Sequence, residues 1–236
     1  MSYEIKQKVL DQRTQRAKKR VRVDFFKSWS AEMAYVMGYF CADGCMFSNS
    51  GGSKYISFVS IDHELLENVK IMLQSTQDIK VKKQSRPNCK PTFLLQIGSK
   101  EIYNDISKLG LLPNKELRLK PPSVPSQYFR HFLRGYFDGD GCISSGYYKR
   151  RNRKSKVLIV SVRFASGTKS FLESLKKTLY YLIKLKGGSV SKSGGCYYLG
   201  YSINDSRRLF EFMYNKIDSC FYLKRKYNSF LKVFNN

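Results

Sequence analysis

Apolar residues recur along this chain with two periods, and the periods alternate in a fixed order. Around Ile56–Ile61, Phe93–Ile97, Val157–Phe164 and Tyr197–Ile203 apolar and polar positions alternate, the period-two pattern of half-buried strands. From Glu64 to Leu73, from Ser170 to Leu182, and in the stretches running to Leu109 and to Ile217, apolar residues recur at helical spacing. Two further blocks, V-M-G-Y-F-C-A-D-G ending at Gly44 and L-R-G-Y-F-D-G-D-G ending at Gly141, read as helices that stop on glycine.

The two blocks lie 97 positions apart, and the later elements correspond at an offset of 106. The extra nine residues fall in a longer loop at Tyr147–Lys156. The chain therefore reads as an internal repeat. Each copy is predicted to run helix, two strands, helix, two strands, helix, giving an α/β (α+β) fold of two pseudo-symmetric αββαββα repeats. The predicted boundaries are a basic arm at 1–28, a first repeat at 29–116, a linker at 117–125 with three prolines, and a second repeat at 126–236. Leu112-Pro113-Asn114-Lys115 corresponds to Phe221-Tyr222-Leu223-Lys224.

Within the blocks, Gly38 and Ala42 stand at i and i+4, as do Gly135 and Gly139. Glycine inside a helix costs about 1 kcal/mol against alanine, so these glycines call for a compensating close contact. Two small-residue faces packed on each other supply one. Gly44 and Gly141 are expected to adopt the left-handed cap conformation. Asp43 and Asp140 would then meet at one end of the helix pair, where the dipoles are negative and like charges repel. A divalent cation with hard oxygen ligands, Mg²⁺ above all, would relieve that.

Charge enlarges the picture. The 236 residues include 43 Lys plus Arg and 18 Asp plus Glu, a formal net charge of +25. With 42% hydrophobic and 14% aromatic residues, the chain can build a core, which excludes a disordered solvating segment. It holds no apolar run of membrane-spanning length and no signal-peptide pattern. An intracellular protein whose surface seeks polyanions, nucleic acid first, is expected. The six cysteines and two histidines lack zinc-ligand spacing, so the cysteines are read as reduced core residues.

The two nine-residue blocks resemble the paired motifs of a single-chain LAGLIDADG homing endonuclease, and the resemblance covers about residues 26–230. It implies two four-stranded antiparallel sheets forming a DNA-binding saddle, and a monomer with internal pseudo-twofold symmetry. It places the metal-binding acids at Asp43 and Asp140, metal-binding carbonyls at Ala42 and Gly139, and catalytic basic residues at Lys115 and Lys224. Asp138 fits the consensus and Cys41 departs from it. Asp62 and Thr168 fall where the family often positions a water. The implied activity is hydrolysis of both strands of a long, pseudo-palindromic double-stranded DNA target, leaving short 3′ overhangs. Mg²⁺ is the implied cofactor, with Mn²⁺ substituting and Ca²⁺ binding without cleavage.

The loop Tyr147–Lys156 supplies Lys149, Arg150, Arg151, Arg153, Lys154 and Lys156, and a two-stranded ribbon fits the DNA major groove. Lys54, Gln84, Arg86, Lys90, Gln96, Arg163, Lys192 and Tyr201 are further candidate DNA contacts. The alternative is a catalytically silent RNA maturase or transcription factor on the same fold, but such a protein has no need of two repelling carboxylates. Histidine-based nuclease sites lack their histidines, and no Pro-Asp dipeptide opens a PD-(D/E)xK site. Met1 and the Asn235-Asn236 end do not match intein splice junctions, so a free-standing or intron-encoded protein is expected.

Overall fold

A computed structural model describes residues 20–82, 90–113, 119–149, 155–215 and 222–234. The expected sites Gln84, Arg86, Lys115, Arg150, Arg151, Arg153 and Lys154 lie outside the described residues.

Two helices form the axis. Helix α1 (Ala31–Asp43) starts where the Ser30 side chain accepts a hydrogen bond from the Met33 N–H at 3.1 Å, and Met33 through Cys41 are all buried. A helix buried on every side has no polar stripe, which is why this stretch is apolar almost throughout. Helix α4 (Phe129–Asp140) is its repeat partner. A Cβ placed on Gly38 would lie 2.0 Å from the Phe132 carbonyl oxygen, and one on Gly135 would lie 2.0 Å from that of Tyr35. The glycines thus let the two backbones touch, and among the described residues no other pair of elements packs as extensively.

The first repeat continues with β1 (Gly44–Ser48), β2 (Lys54–Ser60), α2 (His63–Met72), β3 (Ile79–Lys82), β4 (Thr92–Gly98) and α3 (Lys100–Lys108). The second continues with β5 (Gly141–Lys149), β6 (Lys156–Ser166), α5 (Lys169–Ile183), β7 (Ser189–Ser193), β8 (Cys196–Ser202) and α6 (Ile203–Tyr214). Both sheets are antiparallel, in the orders β1-β2-β4-β3 and β5-β6-β8-β7. One face of each sheet packs on helices through Ile56, Phe58, Leu95 and Ile97, or through Val160, Val162, Phe164 and Leu199, all buried. The intervening residues make an open face.

The Tyr-Phe pair of each motif builds the same cluster twice. Tyr39 stacks on Phe58 and Phe40 meets that ring edge-on, while Tyr136 and Phe137 do the same to Phe164. Repetition of this kind is what the 97- and 106-residue offsets encode.

Four differences from expectation stand out. Gly44 and Gly141 are extended (φ −78° and −94°), not left-handed. Glycine is needed there because a Cβ would lie 2.2 Å from the Phe40 ring or 2.1 Å from the Phe137 ring. Residues 20–28, within the expected basic arm, are tied to the first repeat. Arg22 N–H donates to the Leu73 carbonyl, and Phe25 and Phe26 are buried. The cysteines divide: Cys41 is buried, but Cys45 and Cys142 are exposed, each following a motif glycine onto the open sheet face. A further helix, α7 (Lys224–Phe234), extends the second repeat and has no counterpart among the described residues of the first.

Candidate functional site

The contact of α1 with α4 brings their C-terminal ends together. A Cβ on Gly139 would meet the Ala42 Cβ at 2.4 Å and Asp43 Oδ2 at 3.0 Å, so the Asp43 carboxylate lies against the residue that precedes Asp140. Asp43 is exposed and Asp140 half-buried. Burial raises the Tyr39 and Tyr136 phenols well above their usual range, and the nearby Asp43 and Asp140 charges add to the effect.

Behind the acids lies a buried polar network. Asp138 Oδ2 accepts from the Tyr35 hydroxyl at 2.7 Å and from the Leu223 N–H at 2.9 Å. Burial pushes its carboxyl up to about 6, against the opposing pull of these donors and of Lys226. Lys226 Nζ donates to the carbonyls of Phe137, Asp138 and Gly139 at 2.7, 2.8 and 3.0 Å. Burial lowers its ammonium to about 8, while Asp138, Asp43 and Asp140 act in the other direction. Arg134, also buried, donates to the Met213 carbonyl at 2.9 Å.

On the first-repeat side, Asp43, Ser60, Asp62, Thr92, Gly139 and Arg225 line a cleft of about 290 Å³. Asp62 sits between β2 and α2 without capping the helix, and its carboxylate instead takes a bidentate pair from Arg225 at 2.8 and 2.6 Å. Such a fork is charge-assisted and fixed in direction. Lys224 pairs with Glu64 at 3.4 Å, its side chain 74% exposed. Helix α7 of the second repeat therefore closes the first repeat's cleft. Thr168 holds the matching position before α5.

Asp43 and Asp140 offer hard oxygen donors. Among the described residues no three or more His, Cys, Asp or Glu side chains cluster to hold a metal. The pair fits a divalent ion that takes its remaining ligands from carbonyls, water or a bound phosphate, as Mg²⁺ does. The Gly139 carbonyl is already shared with Lys226. The Ala42 position faces Gly139 across the interface.

A groove of about 620 Å³ crosses the open face of the second sheet, lined by Ser161, Arg163, Ser189, Ser191, Ser193 and Tyr198 among others. Arg163 is where expected. In the first sheet Gln96 is on the open face, and register adds Lys80 and Lys82, which pair with Leu94 and Thr92. Sequence reasoning missed these two lysines, although their alternation with Ile79 and Val81 was a usable signal. Lys90 is exposed just before β4. Lys149 and Lys156 pair directly at the end of a ribbon longer than expected, since the strands run into the Tyr147–Lys156 loop.

Three expected contacts sit elsewhere. Tyr201 is 1% exposed, on the helix-facing parity of Leu199. Lys54 shares the parity of Ile56 and Phe58, bonds Ser48 and lies over the Tyr103 ring. Lys192 shares the parity of Val190 and lies over Tyr197. In each, strand alternation overrides the polar or aromatic character that suggested DNA contact. Asp138, Arg225 and Lys226 form the opposite case, brought to the site without having been expected to act there.

Residues 30–110 match the family model of the LAGLIDADG-like domain, and residues 133–235 that of the LAGLIDADG endonuclease. Among solved structures, LAGLIDADG meganuclease I-AabMI bound to uncleaved DNA superposes with a TM-score of 0.58 at 14% identity, over 85% of this chain and 89% of that one. The I-LtrWI LAGLIDADG homing endonuclease bound to target DNA gives 0.60 at 14% identity over 90% of each. I-SmaMI bound to uncleaved DNA with calcium gives 0.57 at 16% identity, over 86% and 89%. At these identities the likeness establishes the fold. The replication factor C small subunit of Methanocaldococcus jannaschii is 31% identical over 118 residues, which is 49% of this chain and 6% of that protein.

Proposed function

Because the chain belongs to the LAGLIDADG family, with one motif in each half, we propose that it is a site-specific endonuclease that hydrolyses both strands of a long, pseudo-palindromic DNA target. The observation that carries this reading is the convergence of the two motif ends, with the Asp43 carboxylate against Gly139. Two acids held at two negative helix ends are unfavourable for stability alone. They make sense as a site that receives a cation.

In this reading, Asp43 and Asp140 each supply carboxylate oxygens, and their helices hold those oxygens still. A divalent ion bound there would supply Lewis acidity and a water ionised at neutral pH. Arg225, presented in the cleft by Asp62, offers a planar donor fork to a phosphate. Lys224, exposed and only loosely paired, can reach a backbone phosphate by rotating its side chain, and Lys115 is its counterpart. Arg163, Lys80 and Lys82 on the open faces contact the duplex, and the Lys149–Lys156 ribbon enters its major groove. With each sheet following about one turn of ~10 base pairs, the target is about two turns long.

The test is incubation with a randomised duplex library and Mg²⁺, followed by sequencing of the cut ends. A single enriched site with short 3′ overhangs supports the proposal. Retention of a specific duplex with no cut ends under Mg²⁺ or Mn²⁺ would establish a silent binder instead.

A further inference from the structure

The open face of the second sheet is short of charge. Among its described residues in β5 to β8, strand register leaves Arg163 as the one charged side chain, set among serines, glycines and apolar residues. In a chain of net charge +25, a face so neutral does not bind a polyanion by phosphate contacts alone. What it offers instead is apolar. Ile159 lies on this face, is 39% exposed, and lines the groove of about 620 Å³. Its cross-strand partner is Gly146, where a Cβ would lie 2.9 Å from the Tyr148 ring. The glycine therefore makes room for that ring on the face that Ile159 occupies. Val157, opposite Tyr148, continues the patch. Apolar side chains grouped in the open within a polar rim mark a surface that meets a partner.

We propose that Ile159 is a specificity-determining residue that reads the C5 methyl group of a thymine, in one half of the target only. The inference rests on the functional reading above, because it takes the DNA duplex as the occupant of the sheet face. The thymine methyl is the apolar group that base pairs present in the major groove, so it is what an aliphatic side chain can distinguish there. The surrounding serine hydroxyls donate or accept and favour no base. Register gives the place. Gly141, next to Asp140, pairs with Phe164, so Arg163 lies towards the acids and Ile159 four residues farther out. At about 3.3 Å per strand residue this is about 13 Å, a displacement of about four base pairs. The thymine thus belongs to the outer part of its half-site. The 106-residue offset puts Ser53 at the corresponding place in the first repeat, in the turn before β2, where no aliphatic side chain is available.

The test selects duplexes bound by the full chain from a randomised library in EDTA, so that binding is read without cutting. The wild-type protein should enrich thymine at one outer position of one half-site. Ile159→Ala should lose that preference and keep the others, and Ile159→Val, which retains a branched apolar side chain, should keep it. Deoxyuridine then replaces that thymine in the selected duplex and removes only the methyl group. Wild-type binding should weaken about fourfold, the worth of one buried methyl, while Ile159→Ala should bind both duplexes equally. Identical selected sequences for wild type and Ile159→Ala, a uniform loss across all sequences, or equal wild-type affinity for thymine and deoxyuridine would each overturn the proposal. The last of these, with binding otherwise intact, would leave the patch to another partner. A selected duplex that stays uncut in Mg²⁺ would refute the endonuclease and leave the reading of thymine by Ile159 standing. A cut duplex indifferent to Ile159→Ala would do the reverse. Selection of no specific duplex would overturn both.

Discussion

Replacing Gly38 by alanine sets two physical effects of opposite sign against each other. Helix propensity alone makes Gly→Ala stabilising by about 1 kcal/mol in a helix interior. The structure opposes this, because the new Cβ would lie 2.0 Å from the Phe132 carbonyl oxygen and 2.9 Å from the Tyr136 nitrogen. Both obstacles are backbone atoms of α4, so no rotamer change relieves them. The helices must part by about 1 Å to bring the closest contact to 3.0 Å. That shift loosens a seam in which two helix backbones touch. Overpacking of this kind costs about 1–3 kcal/mol, and an unyielding backbone puts it at the upper end. Net of propensity, Gly38→Ala should destabilise by roughly 2 kcal/mol, a midpoint drop of about 4–8 °C for a chain of this size. Urea denaturation gives the free energy and calorimetry the midpoint. Gly51→Ala, whose Cβ would meet nothing closer than 3.6 Å, is the control and should change stability by less than about 0.5 kcal/mol. Gly135→Ala should behave like Gly38→Ala, and the double variant should lose less than the sum, because helices already parted accommodate the second methyl. A Gly38→Ala protein more stable than wild type would refute the backbone contact and, with it, the placement of the two acids.

Asp140→Asn should abolish double-strand cleavage while leaving DNA affinity within a fewfold of wild type, read by a nicking gel and by fluorescence anisotropy; retained cleavage would remove Asp140 from the metal-binding role. The affinity itself should fall steeply with salt, log K dropping about 0.9 per phosphate contact, and Arg163→Ala should reduce that slope by about one contact; a flat salt response counts against binding across the charged sheet faces. His131 supplies a pH dependence. Burial and the Arg134 and Arg130 charges lower its imidazole to about 4, and its Nδ1 lies 3.0 Å from an Arg134 nitrogen that can only donate. The folded state thus binds this proton less readily than the unfolded one. His131 favours folding fully above its usual pKa of 6.5, and that contribution is lost as pH falls from there towards 4. His131→Gln should flatten this part of the stability–pH profile, measured by urea midpoints; an unchanged slope would place the acid sensitivity elsewhere.

Much of this arrangement is legible in the amino-acid order. The repeated blocks place two helices, and their glycines announce a close contact that the Gly38–Phe132 and Gly135–Tyr35 approaches bear out. Alternation and helical spacing produce the element order of both repeats, because these are local consequences of which side chains each element must bury. Some of what was misread was also local. Tyr201 shares the parity of Leu199, and Lys54 that of Ile56, so the buried face was readable where chemical type pointed the other way. Likewise Leu223, Lys226, Phe230 and Phe234 fall on one helical stripe, and all are buried.

What the order of residues alone determined is the pair of helices, the eight strands and the two acids at the helix ends. Tertiary structure decided the rest. Lys224, Arg225 and Lys226 are nearly the same in sequence terms, yet Glu64, Asp62 and the end of α4 divide them among three roles. The motif glycines end their helices for want of room beside Phe40 and Phe137, and no left-handed turn is involved. Residue type sets what a side chain can bond and local periodicity sets which face it occupies, but its partner is fixed by segments 85 or more positions away, and only folding brings those within reach.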